Sequence, residues 1–325
     1  MRILLTSDHR YPARLFPLNG KAKASARITD LTMEALAELG HEVWYELEDG
    51  FELPLPHGAR PLRPGHRPPV DVIHDQMLEP YDDGNALGMP WVRTCHSDLF
   101  ARGWDPARLK VNEGWIYVSR WLAAVYDSER YVHLGVDPRE YPGSSSKDDY
   151  FFFICSLDRA WQKGLDIALA LTKRFGFELR IAGAAADPAK EREVRDACRG
   201  HNVTFLGEIY GERKAEAFAR AKALLFPTQF NEAFGTSVAE ALMSGTPVIT
   251  SDRGAMPEVV SPEVGFVCST MDEYVRAVEN IGSISPEACR RKAMAEYHYL
   301  VMGERYVREY ERAIEIWSAG VSPAG

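Results

Sequence analysis

Phe226-Pro-Thr-Gln-Phe-Asn-Glu-Ala-Phe-Gly-Thr-Ser-Val-Ala-Glu-Ala-Leu-Met-Ser-Gly-Thr-Pro-Val-Ile-Thr250 changes pattern three times along its length. An apolar run ends at Pro227 and a polar loop leads to Phe234-Gly235. Helical spacing then begins at Thr236 or Ser237 and lasts to about Met243, where Gly245 closes it and Pro247 opens another apolar run. Strand, loop, helix and strand in that order are the repeating unit of a parallel sheet, because parallel neighbours need a crossover between them.

The same alternation extends in both directions. Strands are predicted at Tyr150–Cys155, Glu178–Ala182, Val203–Gly207, Ala223–Pro227, Pro247–Thr250 and Val264–Cys268, with helices between them such as Gly164–Phe175 and Gly211–Ala221. Pro286–Trp317 reads as nearly continuous helix. Towards the N-terminus, strands are predicted at Arg2–Thr6, His41–Leu47, Val70–His74, Trp91–His96, Trp115–Ser119 and Tyr131–Val136, and residues 50–69, rich in Pro and Gly, read as a loop. Ala22–Leu39 is a predicted helix: Ile28, Leu31, Met33, Ala35, Leu36 and Leu39 suit one face, and Gly40 is a natural C-terminal cap. Asp137–Asp149, with Pro138, Pro142, Gly143 and the serines 144–146, is the best linker candidate. The expected fold class is α/β, with two doubly wound parallel-sheet (Rossmann-like) domains facing across a cleft at the carboxyl ends of their strands. The expected division is 1–140, 150–300 and a C-terminal helix at 301–325 that crosses back to the N-terminal domain.

Composition narrows the partners. The chain has 325 residues, comfortable for two domains, and a formal net charge of -9. Both halves share it: residues 1–150 hold 17 Lys and Arg against 23 Asp and Glu and the rest hold 21 against 24, from totals of 38 and 47. No basic run is present, which argues against nucleic acid and gives no indication of membrane association. Cys95, Cys155, Cys198, Cys268 and Cys289 are widely spaced and odd in number, as in reduced thiols of a cytoplasmic protein, and no C-x-x-C suggests a metal. No stretch approaches the roughly 20 apolar residues of a membrane span, and the start has no signal-peptide layout.

The opening stretch also carries chemistry. Gly235 lets backbone come close to a ligand, and the first amides of the following helix are unpaired at the positive end of its dipole, so a diphosphate is stabilised there. Glu232 before the helix and Glu240 inside it can bracket a ligand, each accepting hydrogen bonds from hydroxyls. A sugar nucleotide offers that combination, with two phosphates between two polyols. The bland alternative stands beside it: Ser237-Val-Ala-Glu240 is also a capping box, in which Glu240 serves its own helix, and Glu232 can be a solvated loop residue.

Asn231-Glu-x-Phe-Gly, Glu240 and Ala241-Leu-Met-Ser-Gly-Thr-Pro-Val248 resemble the retaining glycosyltransferases of family 4, which have the two-domain GT-B fold. The likeness continues through Gly254-Ala-Met-Pro-Glu-Val-Val260 and Val264-Gly-Phe-Val267, and upstream through Leu179-Arg-Ile-Ala-Gly183 and Val203-Thr-Phe-Leu-Gly207. It implies that Glu232 contacts hydroxyls of the transferred sugar and Glu240 the ribose. Amides around Phe234, Gly235, Thr236 and Ser237 would meet sugar and phosphates. Ile154-Cys-Ser-Leu-Asp-Arg-Ala-Trp-Gln-Lys-Gly-Leu-Asp166 resembles the family's Gly-Arg, short loop, Lys-Gly stretch, with Cys155-Ser156 where Gly-Arg is usual. Lys163 is thereby expected to neutralise the leaving diphosphate, and Arg159 to stand in for the missing arginine, in place of a metal. Gly20 matches the family's glycine loop, which lies close to the donor phosphates, so it is expected to bind donor, and His96 matches a histidine near the transferred sugar. His74 leans to a structural role, and His133 and Leu134 replace a common Pro-Asn.

The resemblance implies a metal-independent, cofactor-free hexosyltransferase. It would move sugar from a nucleotide donor, UDP-sugar before GDP-sugar, to a hydroxyl of a small-molecule or saccharide acceptor. Two rivals are a nucleotide-sugar epimerase and a nucleotide-sugar-binding protein or partner subunit that has lost turnover. Aromatic residues of the N-terminal half, among them Tyr11, Phe16, Trp44, Trp91, Trp104 and Trp115, are divided between core and an acceptor pocket.

Overall fold

The computed structural model describes residues 1–7, 24–46, 55–62, 69–76, 88–104 and 113–320. They fall into two compact units, one formed by Met1–Gly135 with His298–Gly325 and the other by Val136–Tyr297.

The first unit is built on β1 (Arg2–Thr6), β2 (Glu42–Glu46), β3 (Arg60–Leu62), β4 (Val72–Asp75), β5 (Trp91–Cys95) and β6 (Trp115–Tyr117). These pair in parallel in the order β3-β2-β1-β4-β5-β6. Helix α1 (Ala24–Glu38) crosses from β1 to β2. It buries Ile28, Leu31, Met33, Ala35 and Leu36, but also Thr29, Asp30, Thr32 and Glu34, so its apolar stripe understates how much of it is covered. Gln76 reaches it from the end of β4, accepting from Thr29 and donating to Thr32. Gly40 has a φ of +83°, as a left-handed helix end requires. Helix α2 (Arg120–Val125) starts at Ser119, whose hydroxyl accepts from the Leu122 amide.

Two expectations fail here. Residues 50–69 are not all loop, because Arg60–Leu62 form the edge strand β3 with Pro61 in its middle. Proline is tolerated on an edge, where one ladder hydrogen bond is dispensable. Tyr131–Val136 is not a strand: only Tyr131 bridges to Tyr117. Val132, Leu134 and Val136 are buried without a ladder, so their apolar character reported burial rather than pairing.

The second unit alternates without interruption: β7 (Tyr150–Ile154), α3 (Leu165–Phe175), β8 (Glu178–Ala182), α4 (Pro188–Ala197), β9 (Val203–Gly207), α5 (Gly211–Arg220), β10 (Ala223–Phe226), α6 (Thr236–Met243), β11 (Val248–Ser251), α7 (Met256–Val259), β12 (Gly265–Cys268), α8 (Met271–Asn280) and α9 (Pro286–Glu296). Its parallel strands stand in the order β12-β11-β10-β7-β8-β9, which read from the far edge is the order of the first sheet. Phe151, Phe153, Leu179, Ile181, Leu225 and Ile249 enter one core, while Phe152 and Leu224, between them in sequence, are also fully buried. Unbroken apolar strands are what a sheet covered on both faces needs.

Asp137–Asp149 belongs to this second unit. Lys147 donates to the Ala219 carbonyl (2.7 Å) at the end of α5 and to the Thr246 hydroxyl (2.8 Å) beyond α6. Asp148 pairs with Arg220, and Asp149 with Lys222. Burial of the Lys147 ammonium pushes its pKa down to about 8.

The last helix, α10 (Tyr299–Ser318), is separate from α9: Tyr297 ends one and His298 caps the other, its Nδ1 accepting from the Leu300 amide. It lies in the first unit, packed on α1, β4 and β5. No helix among the described residues is long and apolar enough to cross a membrane.

Candidate active site

In the second sheet the strand order turns between β7 and β10. Chains leave these two neighbouring strands to opposite sides, which opens a crevice at their carboxyl ends where ligands bind in doubly wound folds. The two loops that start there carry the residues of interest. Gln229 stitches them together, its amide donating to the Gln162 carbonyl (2.8 Å) and its Nε2 to Asp166 (2.6 Å).

Lys163 comes from the β7 loop and Glu232 from the β10 loop. The Lys163 ammonium lies 2.6 Å from Glu232 Oε1 and 3.1 Å from Oε2. Both side chains keep some access to solvent, at 14% and 13%, so the pair is neither a surface ion pair nor a sealed one. Two glycines make the approach possible. Gly164 has a φ of +81°, and a Cβ there would stand 2.0 Å from the Pro227 carbonyl oxygen. Gly254 has a φ of +61°, and its Cβ would stand 2.3 Å from both backbone N and O of Glu232. Any other residue at either place would push the loops apart. The Ala255 amide donates to the Glu232 carbonyl (2.8 Å), so Glu232 is held at its backbone as well as its carboxylate.

Aromatic rings complete the cation's surroundings. The Lys163 ammonium is 4.8 Å from the Phe226 ring centre and 4.5 Å from that of Phe230, and the exposed Arg159 guanidinium is also 4.5 Å from the Phe230 ring. Arg159 donates to Gln162 Oε1. One ring thus gathers two cations near one carboxylate, leaving the cluster with an excess of one positive charge. Ser156 is exposed and its hydroxyl donates to Asp158, which also accepts from the Ala186 and Asp187 amides; those backbone donors hold the Asp158 carboxyl below the usual range.

Helix α6 begins where the β10 loop ends. Its N-cap is Gly235, in left-handed conformation and with no side chain to cap the helix. The amides of Thr236 and Ser237 therefore have no partner within the helix, and they carry the positive end of its dipole. Phe234 is buried, its ring edge-on to Tyr297.

The capping-box alternative for Glu240 fails. Its carboxylate does not return to the start of α6: Oε1 accepts from Lys214 of α5 and from the Tyr141 hydroxyl, each at 2.7 Å. Oε2 is buried and has no hydrogen-bond partner among the described residues. Sequence reasoning missed both donors. Tyr141 lies in the stretch read as linker, and Lys214 looks like any charged residue on a helix face.

In the first unit, His96 directly follows β5 and is half-buried. His74 is fully buried within β4, with Nδ1 2.7 Å from the Tyr310 hydroxyl and Nε2 2.8 Å from that of Thr94. It joins the sheet to α10. Arg93 and Asp75 form a buried pair at 2.6 Å, with the guanidinium lying near the Trp91 and Trp115 rings. His133 is buried beside Arg305 of α10. Gly20, Tyr11 and Phe16 lie outside the described residues. Among the described residues no group of three or more His, Cys, Asp or Glu side chains is placed to hold a metal ion.

The profile of the family described as "Glycosyl transferases group 1" matches residues 138–300. The chain belongs to this family. Among curated relatives, the phosphatidyl-myo-inositol mannosyltransferase of Mycolicibacterium smegmatis is 29% identical over 212 residues, 59% of this chain and 54% of that protein. The Mycobacterium leprae protein of the same name is 28% identical over 131 residues, 37% of this chain and 35% of its own length. The chain thus spans about a third to a half of the curated relatives it matches. Solved structures align along nearly all of it. A glycosyltransferase involved in avilamycin A biosynthesis gives a TM-score of 0.73 at 24% identity, covering 97% of this chain and 98% of that one. Sucrose-phosphate synthase from Thermosynechococcus elongatus gives 0.73 at 19%, covering 97% and 99%. An Anabaena protein solved with UDP and glucose gives 0.70 at 14%, covering 96% and 99%. The chain therefore has the GT-B fold that the resemblance implied, and its two six-stranded parallel sheets are those expected from the alternation of strands and helices.

Proposed function

We propose that this chain transfers a sugar from a nucleotide-sugar donor to an acceptor hydroxyl, with retention and without a metal. The observation that carries the reading is the Lys163–Glu232 pair at the turn of the second sheet, next to the uncapped start of α6. A cation and a hydroxyl acceptor stand side by side there, as phosphate and sugar do in the donor.

Each group has a part. Breaking the bond between the anomeric carbon and the diphosphate leaves negative charge on the leaving oxygen. Lys163, Arg159 and the amides of Gly235, Thr236 and Ser237 stabilise that charge, and preorganised donors do so without reorganising. Glu232 accepts hydrogen bonds from hydroxyls of the transferred sugar, the Phe234 backbone lines the same loop, and Glu240 takes the ribose. The acceptor's proton passes to the leaving phosphate oxygen, so no protein base is required. The second unit is the donor side. The first unit is the acceptor side, and His96 hydrogen-bonds a sugar or acceptor hydroxyl. UDP-sugar is the favoured donor; the Anabaena neighbour was solved with UDP-glucose. The acceptor is a small molecule or saccharide.

The test is a thermal-shift series with UDP, GDP, ADP and TDP and their sugars. A ligand at 100 times its dissociation constant adds about 2.7 kcal/mol of stability. A shift with one nucleotide series, followed by nucleotide release from its sugar form, is the expected result. Silence from all four would overturn the proposal, and binding without release would favour a binding protein.

A further inference from the structure

Glu240 is only 8% exposed, yet just one of its carboxylate oxygens is satisfied. Tyr141 and Lys214 both donate to Oε1 at 2.7 Å, and among the described residues Oε2 has no partner although no solvent reaches it. A buried anionic oxygen without a donor is costly, so the arrangement is complete only when something donates to Oε2.

The position says what. Glu240 lies four residues beyond Thr236, about 6 Å along a helix rising 1.5 Å per residue. A 5′-diphosphate held on the first amides of α6 places its ribose at that distance, with vicinal hydroxyls that donate. Resting on the reading of this site as a nucleotide site, we infer that Tyr141 and Lys214 are positioning residues: they fix Oε1 so that Oε2, covered in the ligand-free chain, is the oxygen left for the ribose hydroxyls once an entering nucleotide displaces what covers it.

Both partners are themselves held. Tyr141 is buried, its ring is edge-on to Phe218 at 6.1 Å, and its carbonyl accepts from Arg290 at 2.7 Å. The Lys214 ammonium stands 5.9 Å from the Tyr141 ring and 5.8 Å from that of Phe218. They approach from separate elements, the segment before β7 and helix α5. With both in place the carboxylate cannot turn over without losing two charge-assisted hydrogen bonds. With the Tyr141 hydroxyl gone, Lys214 is free to bridge both oxygens and Oε2 is no longer reserved for ligand.

The test compares UDP and GDP with their 2′,3′-dideoxy counterparts by calorimetry, on the wild type and on Y141F, K214M, K214R and E240Q. The wild type is expected to prefer the ribonucleotide by about tenfold, the worth of a hydrogen bond to a charged acceptor. Y141F, K214M and E240Q should bring that ratio close to one and leave dideoxynucleotide affinity within about twofold of wild type, while K214R restores part of it. Equal weakening of both forms in Y141F would mean a packing role and overturn the inference. So would a wild-type ratio kept by Y141F and K214M but lost in E240Q. A wild type that does not distinguish the two forms, or binds neither nucleotide, removes the reading of the site itself, and that shows before any variant is made.

Discussion

In the first unit His74 and Arg93 stand inside the strands of the sheet; in the second Lys163 and Glu232 stand in loops that follow strands. His74 and Arg93 are strand residues, 0% and 3% exposed, and their partners Thr94, Tyr310 and Asp75 are equally enclosed. Lys163 and Glu232 are loop residues with open edges, held by glycine-permitted contacts between loops. The two sheets share one strand order, so topology alone does not separate them. A polar group inside a strand must be satisfied by its neighbours and has nothing left to offer. One just beyond a strand end can exchange its partner for a ligand.

That contrast is most directly broken at Glu232. E232Q keeps a hydrogen bond to Lys163 and removes the charge, so the fold should stand, with unchanged circular dichroism, while nucleotide release from the donor falls about a hundredfold or more. Wild-type turnover would make Glu232 a solvated loop residue after all. K163M comes next: nucleoside diphosphate affinity should fall about thirtyfold, as expected for losing a charge-assisted hydrogen bond. Unchanged affinity in a titration would place the diphosphate elsewhere.

For the strand residues the expected effect is on stability, not on ligands. Burial pushes the His74 imidazole down to about 3, whereas in the unfolded chain it titrates near 6.5. Between those values the unfolded chain holds a proton that the folded one does not. Stability therefore rises with pH across that window and is lost as the solution is acidified. Denaturant unfolding at pH 6.5 and pH 5 should show the wild type losing about 2 kcal/mol more than H74Q, which cannot charge. Parallel losses would mean that His74 carries its proton inside the sheet. The smallest effect belongs to Arg159, which is exposed and screened: R159A should weaken nucleotide binding less than about fivefold. A loss matching that of K163M would make it a full equivalent of the family's usual arginine.

Much of the fold was legible from pattern alone. The runs of β7 and β10 are unbroken because a strand covered on both faces is apolar along its length, whereas β8 and the edge strand β9 carry Glu178, Arg180 and Thr204. The order of motifs singled out Glu232, Lys163 and Glu240 as candidates, and the fold brings the first two together. Reading failed where a segment's role depends on partners distant in sequence. Arg60–Leu62 is a strand only because β2 lies beside it, and Tyr131–Val136 is not one because it is buried without a pairing partner over most of its length. Tyr141 and Lys147 sit in a stretch whose prolines, glycine and serines suggest a spacer, yet both are bonded to the second unit.

The sequence by itself determined where strands and helices alternate, since periodicity and punctuation by Gly and Pro are local properties. It also placed a helix start after Gly235. Only the tertiary structure decided what Glu240 does. Ser237-Val-Ala-Glu240 has the letters of a capping box, and a box is closed by atoms a few bonds away. Lys214, from another helix, and Tyr141, far upstream in sequence, reach the carboxylate instead and leave its second oxygen buried without a partner among the described residues. A carboxylate takes the donors that folding brings to it, and those are fixed by the packing of α5 and α6 rather than by the residues beside it in the chain.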